Sequence, residues 1–377
     1  MQRTININLE YNKPLVDTLK IYSKLYKEYC DFGFKNKIRN KVELHNLLYK
    51  KIRKQEPIFP SALIQTVRDV ACETLKRTKM KKQIKSKEFT SMRLDKRNLR
   101  VSLHHNFASI SSADGRQKLT FKPNYISTKY KDWKPVAGTL SYKNKILKLH
   151  IIVEKENPKI ELKQNPNILG LDRGINNILV SSNNQFFNSK KLKNTKGKYQ
   201  YLRKQLQSKG TPSARRKLKI ISRRERRFVS DINHILSKNL ANSNYDAFVL
   251  EDLKKIKQNK GRKFNHKLGN WSFKQFETYL TYKTQELGKL IIKVNPKYTS
   301  QECSKCHNVS KSNRIGAKLK CKKCDYELHA DLNASRNIAM RGTSLYSRLL
   351  FNQPNVTLNE NTVFESSYKP INSLIGS

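Results

Sequence analysis

Three acidic residues occupy positions at which carboxylates could carry out phosphodiester chemistry. Asp172 ends the apolar run ILGLD, Glu251 ends the apolar run AFVLE, and Asp331 opens the helical stretch ADLNASRNIA. The ends of neighbouring strands would place the first two side chains at one edge of a sheet, and a helix start could bring the third beside them. Carboxylates grouped in this way can hold two Mg²⁺ ions roughly 4 Å apart, one activating the attacking water and the other stabilising the leaving oxygen. Because Mg²⁺ keeps several waters, few carboxylates suffice. The pattern predicts a metal-dependent nuclease.

Each acid also has a simpler explanation when it is considered alone. An acid after a strand is usually a solvated turn residue, and Asp331 could merely cap its helix. Asp252 is an alternative ligand to Glu251 if the strand register is shifted by one residue. The combination of an Asp-x-Gly after one strand, an acid after a later strand and a third acid just past a cysteine cluster favours a shared site.

Four cysteines form two Cys-x-x-Cys pairs, Cys303 with Cys306 and Cys321 with Cys324, and fourteen residues separate the pairs. This spacing is typical of a zinc ribbon, in which each pair forms one knuckle and four thiolates close a tetrahedral site. No ligand position stays open, so we expect the zinc to be structural.

The remaining cysteines and two nearby histidines fit other roles. Cys30 and Cys72 stand alone in apolar helical patterns and are expected to be core thiols. His307 and His329 are alternative zinc ligands by position. His307 directly follows a ligand, however, and a side chain at that position points away from the metal in a normal knuckle.

The charge of the chain predicts a large polyanionic partner. The 377 residues include 78 Lys and Arg against 29 Asp and Glu, a formal net charge of +49. A compact body with this charge repels itself unless a polyanion neutralises it, and one charge per phosphate requires on the order of fifty phosphates. A coding bias toward Lys explains part of the excess, since Asn and Ile are also abundant, but it does not explain the shortage of acids. We therefore expect a bound nucleic acid of tens of nucleotides.

No signal for secretion or membrane insertion is present in the sequence. The first residues, MQRTININLE, contain no apolar core of a signal peptide, and no apolar run approaches the ~18 residues of a membrane span. We expect a cytoplasmic protein that is associated with the nucleoid when on DNA. Thiols stay reduced there, which favours metal over disulfide.

Apolar periodicity divides the first 165 residues into strand and helix regions. Alternation over residues 3–9 indicates a strand, and three amphipathic patterns follow it. Residues 101–155 have a strand-like pattern that the first strand could join, and residues 157–167 are predicted to be a linker. The apolar positions of the three helical patterns are Leu15, Leu19, Tyr22, Tyr26 and Tyr29; Leu44, Leu47, Leu48 and Ile52; and Leu63, Val67, Ala71 and Leu75.

From residue 168 onward the sequence alternates between strand and helix. Residues 190–230 contain sixteen Lys or Arg and one acid in what reads as a long helical stretch, and residues 273–287 form an amphipathic helix. The neutral tail has no clear period, and we expect it to be disordered. The boundaries that we expect are 1–13 and 101–165 for a split β-domain, 14–100 for an inserted helical domain, 166–300 and 327–342 for the domain that carries the acids, 301–326 for the zinc ribbon, and 343–377 for the tail.

The sequence resembles the TnpB family, which comprises transposon-encoded, RNA-guided DNA nucleases related to miniature type V CRISPR effectors. The resemblance is carried by GLDRGINNILVSS, FVLEDL, NPKYTSQECSKC and KCKKCDYELHADLNASRNIA, and it is strongest over residues 168–342. The first 165 residues match more loosely, by their arrangement. The fold implied by the resemblance is an α/β, RNase H-like (RuvC) nuclease domain with an inserted zinc ribbon, and an N-terminal β-barrel (wedge) domain with an inserted helical recognition domain.

The resemblance also implies roles for individual residues. Asp172, Glu251 and Asp331 correspond to the three RuvC carboxylates, and Cys303, Cys306, Cys321 and Cys324 correspond to the family zinc ribbon. Arg314, between the two knuckles, matches a position where relatives often carry an arginine near the scissile phosphate. The basic helix over residues 197–228 would face the guide or the heteroduplex.

This sequence departs from the family pattern in the knuckles. Relatives usually have Gly after the second cysteine of each knuckle, where this chain has His307 and Asp325. Gly relaxes the tight turn at that position, so the zinc geometry is the least secure part of the comparison. All three acids are present, which argues against the nuclease-dead repressors that derive from this family.

Together these observations predict an RNA-guided DNA endonuclease that cuts next to a short flanking motif and is associated with transposon maintenance. The expected partners are a guide RNA and double-stranded target DNA, with no membrane, and a monomer is favoured. The expected ions are two Mg²⁺, with Mn²⁺ as an alternative, and one structural Zn²⁺. A catalytically silent RNA-guided regulator and a basic RNA-binding structural protein are the alternatives.

Aromatic residues among the basic ones could contribute to nucleic-acid binding in the β-domain. Tyr125, Tyr130 and Trp133 could stack on bases. The favoured prediction is that they fill the core of this domain.

Overall fold

The computed structural model describes residues 1–253 except 82 and 86, and residues 273–351. The chain divides into two compact units, the first comprising Met1–Glu156 and the second beginning at Asn157. No helix in these described ranges is long and apolar enough to cross a membrane.

The first unit contains two antiparallel sheets and a group of three long helices. Its four-stranded sheet has the order β1-β7-β6-β2, and its three-stranded sheet has the order β3-β4-β5. The elements are β1 Gln2–Leu9, α1 Lys13–Lys35, α2 Lys41–Gln55, α3 Ser61–Thr78, β2 Met92–Leu94, β3 Leu99–Ser102, β4 Phe107–Ser112, β5 Gly115–Thr120, α4 Tyr125–Lys129, β6 Lys134–Lys143 and β7 Ile146–Glu154.

The predicted periodicities explain most of these elements. Ile5, Ile7 and Leu9 are buried on one face of β1, as strand alternation requires. The α1 helix begins with Pro14 in its first turn and is capped by Asn12, whose side chain accepts a hydrogen bond from the Leu15 N–H. Leu47, one of the apolar positions of the second helical pattern, lies in α2 but is 53% exposed.

The boundary expected at residue 101 is wrong, because strands appear earlier. The α3 helix ends at Thr78. The β2 strand lies entirely before residue 101, and the β3 strand spans it. In β2, Met92 and Leu94 are fully buried while Arg93 faces outward and pairs with Glu73. A three-residue strand offers a single alternation, which is too short to recognise in a Lys-rich sequence.

The expected barrel is replaced by two sheets. Among the described residues no hydrogen-bonded ladder joins the four-stranded sheet to the three-stranded one. Trp133 is buried and Tyr130 packs against the core, as predicted, but Tyr125 is 80% exposed, so the prediction that it fills the core was wrong.

The second unit is built on a five-stranded sheet of order β10-β9-β8-β11-β12, in which β8, β11 and β12 are parallel and β9 and β10 are antiparallel. A second sheet, β13-β14-β15, is antiparallel. The elements are β8 Ile168–Asp172, β9 Asn177–Ser181, β10 Phe186–Asn188, α5 Lys190–Lys209, α6 Pro212–Ala241, β11 Ala247–Glu251, α7 Phe273–Glu286, β12 Leu290–Val294, β13 Arg314–Ile315, β14 Lys318–Lys320, β15 Glu327–His329 and α8 Ala330–Phe351.

Strand alternation gives the five-stranded sheet two apolar faces. Leu171 and Leu250 belong to the core that contains residues of α6 and α7. Val249 and its neighbours belong to a different core, which contains Ile338 and Tyr346 of α8. Successive residues of a strand point to opposite faces, so the residue after Leu171 and the residue after Leu250 both lie on the α8 face.

Two glycines bring α8 close to this sheet. A Cβ added to Gly170 of β8 would lie 2.2 Å from the Ser335 carbonyl oxygen and 2.5 Å from the Ala339 nitrogen. A Cβ on Gly342 of α8 would lie 2.1 Å from a methyl group of Val249. The helix therefore packs directly on β8 and β11, and its first turn lies near the end of β8.

The basic stretch 190–230, predicted as one helix, is divided into α5 and α6. Gly210 adopts a left-handed conformation (φ +63°) after α5, and the Thr211 side chain caps α6 by accepting a hydrogen bond from the Ala214 N–H. The single acid of the stretch, Glu225 of α6, pairs with Arg203 of α5 and holds the two helices together. The basic helix expected over 197–228 is therefore a helical hairpin.

The last helix is longer than predicted. The α8 helix continues to Phe351, so residues 343–351 are helical and the expected disordered tail is wrong over this range. Tyr346 is buried there, and its hydroxyl accepts a hydrogen bond from the Lys163 N–H. Residues 352–377, the remainder of the predicted tail, lie outside the described residues.

Candidate active site

The three predicted acids meet at one corner of the five-stranded sheet. Leu171 and Leu250 are paired in the parallel ladder between β8 and β11, and Asp172 and Glu251 each follow by one residue. Alternation places both acids on the α8 face. Asp331 is the second residue of α8, which lies over β8. The structure thus brings together the residues that the sequence placed at two strand ends and a helix start.

Electrostatics show that the three acids share one environment. Burial raises the pKa of Asp172 well above its ordinary value, and the negative charges of Glu251 and Asp331 raise it further, against the opposing charges of Arg314 and Arg173. At Asp172, burial together with the two neighbouring negative charges therefore outweighs the opposing positive charges. Such a cluster gains stability from an added cation.

Among the described residues, Thr299 is the side-chain hydrogen-bond partner of Glu251. Burial raises its pKa, and the Thr299 hydroxyl opposes that shift by donating a hydrogen bond of 2.5 Å to the Glu251 Oε1. The neighbouring Asp252, the alternative ligand, donates its main-chain N–H to the Val294 carbonyl and so continues the ladder with β12. Glu251 is the acid of this pair that lies on the α8 face and raises the pKa of Asp172.

Asp331 is positioned by three neighbours. Arg314 Nη2 donates to its Oδ1 at 3.3 Å, and Asn177 Nδ2 donates to its Oδ2 at 3.2 Å. Its own main-chain N–H donates to His329 Nδ1 at 3.3 Å. The structure therefore places Arg314, singled out by the family resemblance, directly beside a candidate catalytic acid.

A buried arginine that sequence reasoning missed ties the site together. Arg173 follows Asp172, and its guanidinium donates one hydrogen bond to the Glu251 carbonyl oxygen and another, of 3.1 Å, to Glu277 Oε2. The Arg173 and Glu277 side chains are 2% and 9% exposed. The Asp-Arg-Gly sequence was visible, but its partner lies 104 residues away in α7.

The Glu277 carboxylate is surrounded by positive charge. Burial would raise its pKa, but hydrogen bonds from Lys293 at 2.7 Å, from Lys274 at 3.0 Å and from Arg173 outweigh this and lower the pKa to about 2. This cluster fixes the ends of β8, β11 and β12 to α7, directly beneath the candidate site.

The four predicted zinc ligands form a compact cluster. Their sulfur atoms all lie within 4.8 Å of one another, and the Cys303–Cys324 and Cys306–Cys321 pairs are 3.8 Å and 3.5 Å apart. Sulfurs around a tetrahedral zinc with Zn–S bonds of ~2.3 Å lie about 3.8 Å apart. The cluster therefore fits a structural zinc ion.

The residues that replace the expected knuckle glycines adopt the conformation that favours glycine. His307 and Asp325 have φ values of +61° and +52°. Their main-chain N–H groups donate to the Cys303 and Cys321 carbonyl oxygens, which closes each knuckle. His307 Nδ1 lies 3.3 Å from Glu302, and the other alternative ligand, His329, accepts from the Asp331 N–H.

One face of α8 attaches the ribbon to the helix that carries Asp331. Asn333 and Asn337 each donate a side-chain hydrogen bond of 2.7 Å to the Glu302 carbonyl oxygen. Arg341 Nη2 donates to Glu302 Oε2 at 2.6 Å. Because Glu302 directly precedes the first zinc-ligand candidate, the ribbon and the acid are held by the same helix.

Comparison with known proteins shows similarity to one family. The family model "Probable transposase" matches residues 150–261, and the model "Cas12f1-like, TNB domain" matches residues 273–338. A TnpB-like protein of Methanocaldococcus jannaschii is 33% identical over 140 residues, which cover 37% of this chain and 32% of that protein. The chain is similar to TnpB family proteins over these segments. The predicted resemblance is thereby confirmed.

The chain is also similar to CRISPR-associated proteins. The endodeoxyribonuclease Cas12f1 of Sulfoacidibacillus thermotolerans is 46% identical over 92 residues, which cover 24% of this chain and 21% of that protein. A cryo-EM structure of a Cas12f1–sgRNA–target DNA complex shares the fold, with a TM-score of 0.60 at 16% identity, over 86% of this chain and 82% of that one. The matched segments span only 21% to 39% of the first three Cas12f1 relatives.

Proposed function

We propose that this protein is an RNA-guided DNA endonuclease of the TnpB type that cuts target DNA next to a short flanking motif. The observation that carries the proposal is the convergence of Asp172, Glu251 and Asp331 beside Arg314. Relatives named as endodeoxyribonucleases and a structural neighbour solved with guide RNA and target DNA support the same class. A role in transposon maintenance is part of the proposal, because the family is transposon-encoded.

The nuclease domain would be of the RNase H-like, RuvC type. The β10-β9-β8-β11-β12 order, with parallel β8, β11 and β12 and an antiparallel β8-β9-β10 meander, supports this assignment. In such an arrangement the candidate acids extend from adjacent strand ends and from the helix on the same face.

The acids would hold two Mg²⁺ ions, with Mn²⁺ as an alternative. Carboxylate oxygens are the ligands that Mg²⁺ prefers in proteins. A group of three acids can hold two such ions roughly 4 Å apart. When bound, the ions supply a nucleophilic hydroxide at neutral pH and stabilise the leaving oxygen.

The residues of this chain would organise the reaction. Thr299 orients the Glu251 carboxylate, and Asn177 orients that of Asp331. Arg314 places a guanidinium at the edge of the acid cluster, where it can bind a phosphate oxygen of the scissile group. Arg173 keeps the main chain at Glu251 fixed relative to Asp172.

The charge supports a guide RNA and double-stranded DNA as partners. A net charge of +49 exceeds what any short oligonucleotide would neutralise. The α5–α6 hairpin carries sixteen Lys or Arg over residues 190–230, most of them exposed, and supplies backbone contacts of the kind that a heteroduplex needs. Base pairing with the guide would provide the sequence specificity.

Two alternatives predict different behaviour. A silent RNA-guided regulator would use the same scaffold to occupy DNA without cutting it. A basic RNA-binding structural protein would explain the charge and the zinc ribbon, but it leaves the uncompensated acids unexplained.

Sequencing the RNA that co-purifies with the protein separates these functions. We expect a defined scaffold that ends in a variable guide, and we expect the purified complex to cut DNA matching that guide when Mg²⁺ is added. Guided binding without cutting at any Mg²⁺ or Mn²⁺ concentration would support the regulator. Random or ribosomal RNA would support the structural protein.

A further inference from the structure

An exposed phenylalanine lies in line with the candidate acids on the catalytic face of the sheet. Asp172 of β8 pairs with Val180 of β9, and Val180 pairs with Phe186 of β10. Directly paired residues project from the same face, so all three lie on the face that carries α8. Val180 is buried, but Phe186 is 43% exposed.

The distance between this ring and the acids suits a single nucleic-acid strand. Two inter-strand spacings separate Phe186 from Asp172, which corresponds to about 10 Å. At the roughly 3.4 Å rise of stacked bases, this is about three nucleotides. A strand whose phosphate lies at the acids would therefore bring a nearby base over the ring.

The ring is held in place by the segment that leads into the catalytic helix. Phe186 packs edge-to-face on His329, with ring centroids 5.1 Å apart and an interplanar angle of 90°. His329 in turn accepts the hydrogen bond from the Asp331 N–H. The orientation of the phenylalanine is thus linked through two contacts to a candidate catalytic acid, which is the rigidity that a positioning surface requires.

A positive charge lies against the hairpin that carries the ring. Arg336 of α8 donates to Asn184 Oδ1 at 3.1 Å, and Asn184 is two residues before Phe186 in the β9–β10 hairpin. The other terminal nitrogen of Arg336 donates to the Tyr326 hydroxyl at 2.8 Å. A guanidinium held against the same hairpin as an exposed aromatic ring can attract a phosphate while the ring stacks on a nearby base.

We propose that Phe186 is a nucleobase-stacking subsite that holds the single DNA strand to be cut. The occupant is a base of that strand, a few nucleotides from the scissile phosphate, and Arg336 attracts the phosphate next to it. This inference rests on the proposed function, because the strand passes Phe186 only if its scissile phosphate lies at the three acids. The contact is independent of base identity, since every base has a face that can stack.

Cleavage kinetics with matched substitutions test this subsite. Phe186→Ala and Phe186→Leu should raise the DNA concentration for half-maximal single-turnover cleavage by roughly 5- to 100-fold, whereas Phe186→Tyr should stay near the unaltered protein. Leucine and tyrosine both retain apolar contact with His329. If the role of Phe186 were purely structural, Phe186→Leu and Phe186→Tyr would therefore cleave alike. Phe351→Ala is the control, because Phe351 is 84% exposed at the far end of α8 and about 30 Å from Asp331.

A cross-linking measurement detects the contact between Phe186 and a DNA base without requiring cleavage. The protein–RNA complex is mixed with target DNA in a buffer that contains Ca²⁺ in place of Mg²⁺, which prevents cleavage without removing zinc. The strand to be cut carries 5-iodo-2′-deoxyuridine, and the mixture is then irradiated. We expect a cross-link to the peptide that contains Phe186, retained in Phe186→Tyr and lost in Phe186→Leu.

The outcomes separate this inference from the nuclease proposal. If the unaltered protein cuts while Phe186→Leu matches Phe351→Ala, the subsite is wrong and the nuclease proposal stands. If the unaltered protein does not cut, the nuclease proposal fails, and the cross-link decides: adducts at Phe186 support the subsite, and adducts only elsewhere overturn it.

Discussion

Arg173 and Glu277 form an ion pair whose side chains are only 2% and 9% exposed, with 3.1 Å between Nη1 and Oε2. The arginine also donates to the Glu251 carbonyl, so the pair connects α7 to the two strands that end in candidate catalytic acids. Removing one partner of a buried pair leaves the other charge uncompensated, which costs more than the pair itself contributes.

Glu277→Gln should therefore destabilise the protein strongly. We expect a loss of about 3–5 kcal/mol in the free energy of unfolding, because Arg173 and Lys293 would remain buried without a counter-charge. Denaturant unfolding measures it. Lys274→Gln is the matched control, since Lys274 contacts the same carboxylate from a side chain that is 75% exposed and should cost at most about 1 kcal/mol. Equal effects of the two substitutions would contradict this account.

The same carboxylate should give the protein a specific acid sensitivity. Its pKa is lowered from 4.5 to about 2, so its contribution to stability is full above pH 4.5 and is lost as the pH falls toward 2. The difference in unfolding free energy between the unaltered protein and Glu277→Gln should shrink over this window. A difference that stays constant from pH 5 to pH 3 would show that the carboxylate is not charge-stabilised.

Gly170→Ala should disturb both stability and the acid site. The added Cβ would meet the Ser335 carbonyl and the Ala339 nitrogen, which are main-chain atoms of α8 and cannot rotate away. We expect a loss of about 1–3 kcal/mol and reduced cleavage, because α8 carries Asp331.

Gly197→Ala provides the comparison for this glycine. Gly197 lies within α5 with no atom within 4 Å of an added Cβ, so alanine there should be neutral or stabilising by up to about 1 kcal/mol. Thermal unfolding and cleavage of the two variants are compared. Similar behaviour at the two positions would mean that the close approach of α8 to β8 does not matter.

Asp325→Gly should stabilise the zinc-loaded protein. Asp325 has a φ of +52°, which costs an L-residue about 1 kcal/mol that glycine does not lose. Asp325→Ala removes the same side chain without relieving the backbone and should not stabilise. Denaturant unfolding at saturating zinc distinguishes them. Stabilisation by alanine as large as that by glycine would mean that charge, not backbone conformation, is responsible.

Local sequence signals were sufficient to locate most of the candidate site. Asp172 and Glu251 could be placed because each ends a short apolar run, and strand alternation then carries both to one face. The zinc ribbon could be placed because its ligands are spaced within 22 residues. In each case the information lies within a few residues of the feature itself.

Features that depend on distant partners could not be found in this way. Arg173 contacts Glu277 across 104 residues, and nothing beside either residue indicates the other. Phe186 and His329 are brought together only by the sheet and the ribbon. The break at Gly210 was different, because its Gly-Thr-Pro sequence is a local helix stop and start that the long basic periodicity concealed.

Cleavage by the Asp172→Ala variant tests the central claim most directly. Guide-matched DNA is offered to the purified protein–RNA complex with Mg²⁺. Asp252→Ala serves as the control, because Asp252 is an acid one residue beyond Glu251 that lies outside the proposed catalytic group. We predict that Asp172→Ala retains its RNA and loses cleavage, while Asp252→Ala still cuts. Undiminished Mg²⁺-dependent cutting by Asp172→Ala would contradict the assignment of the active site.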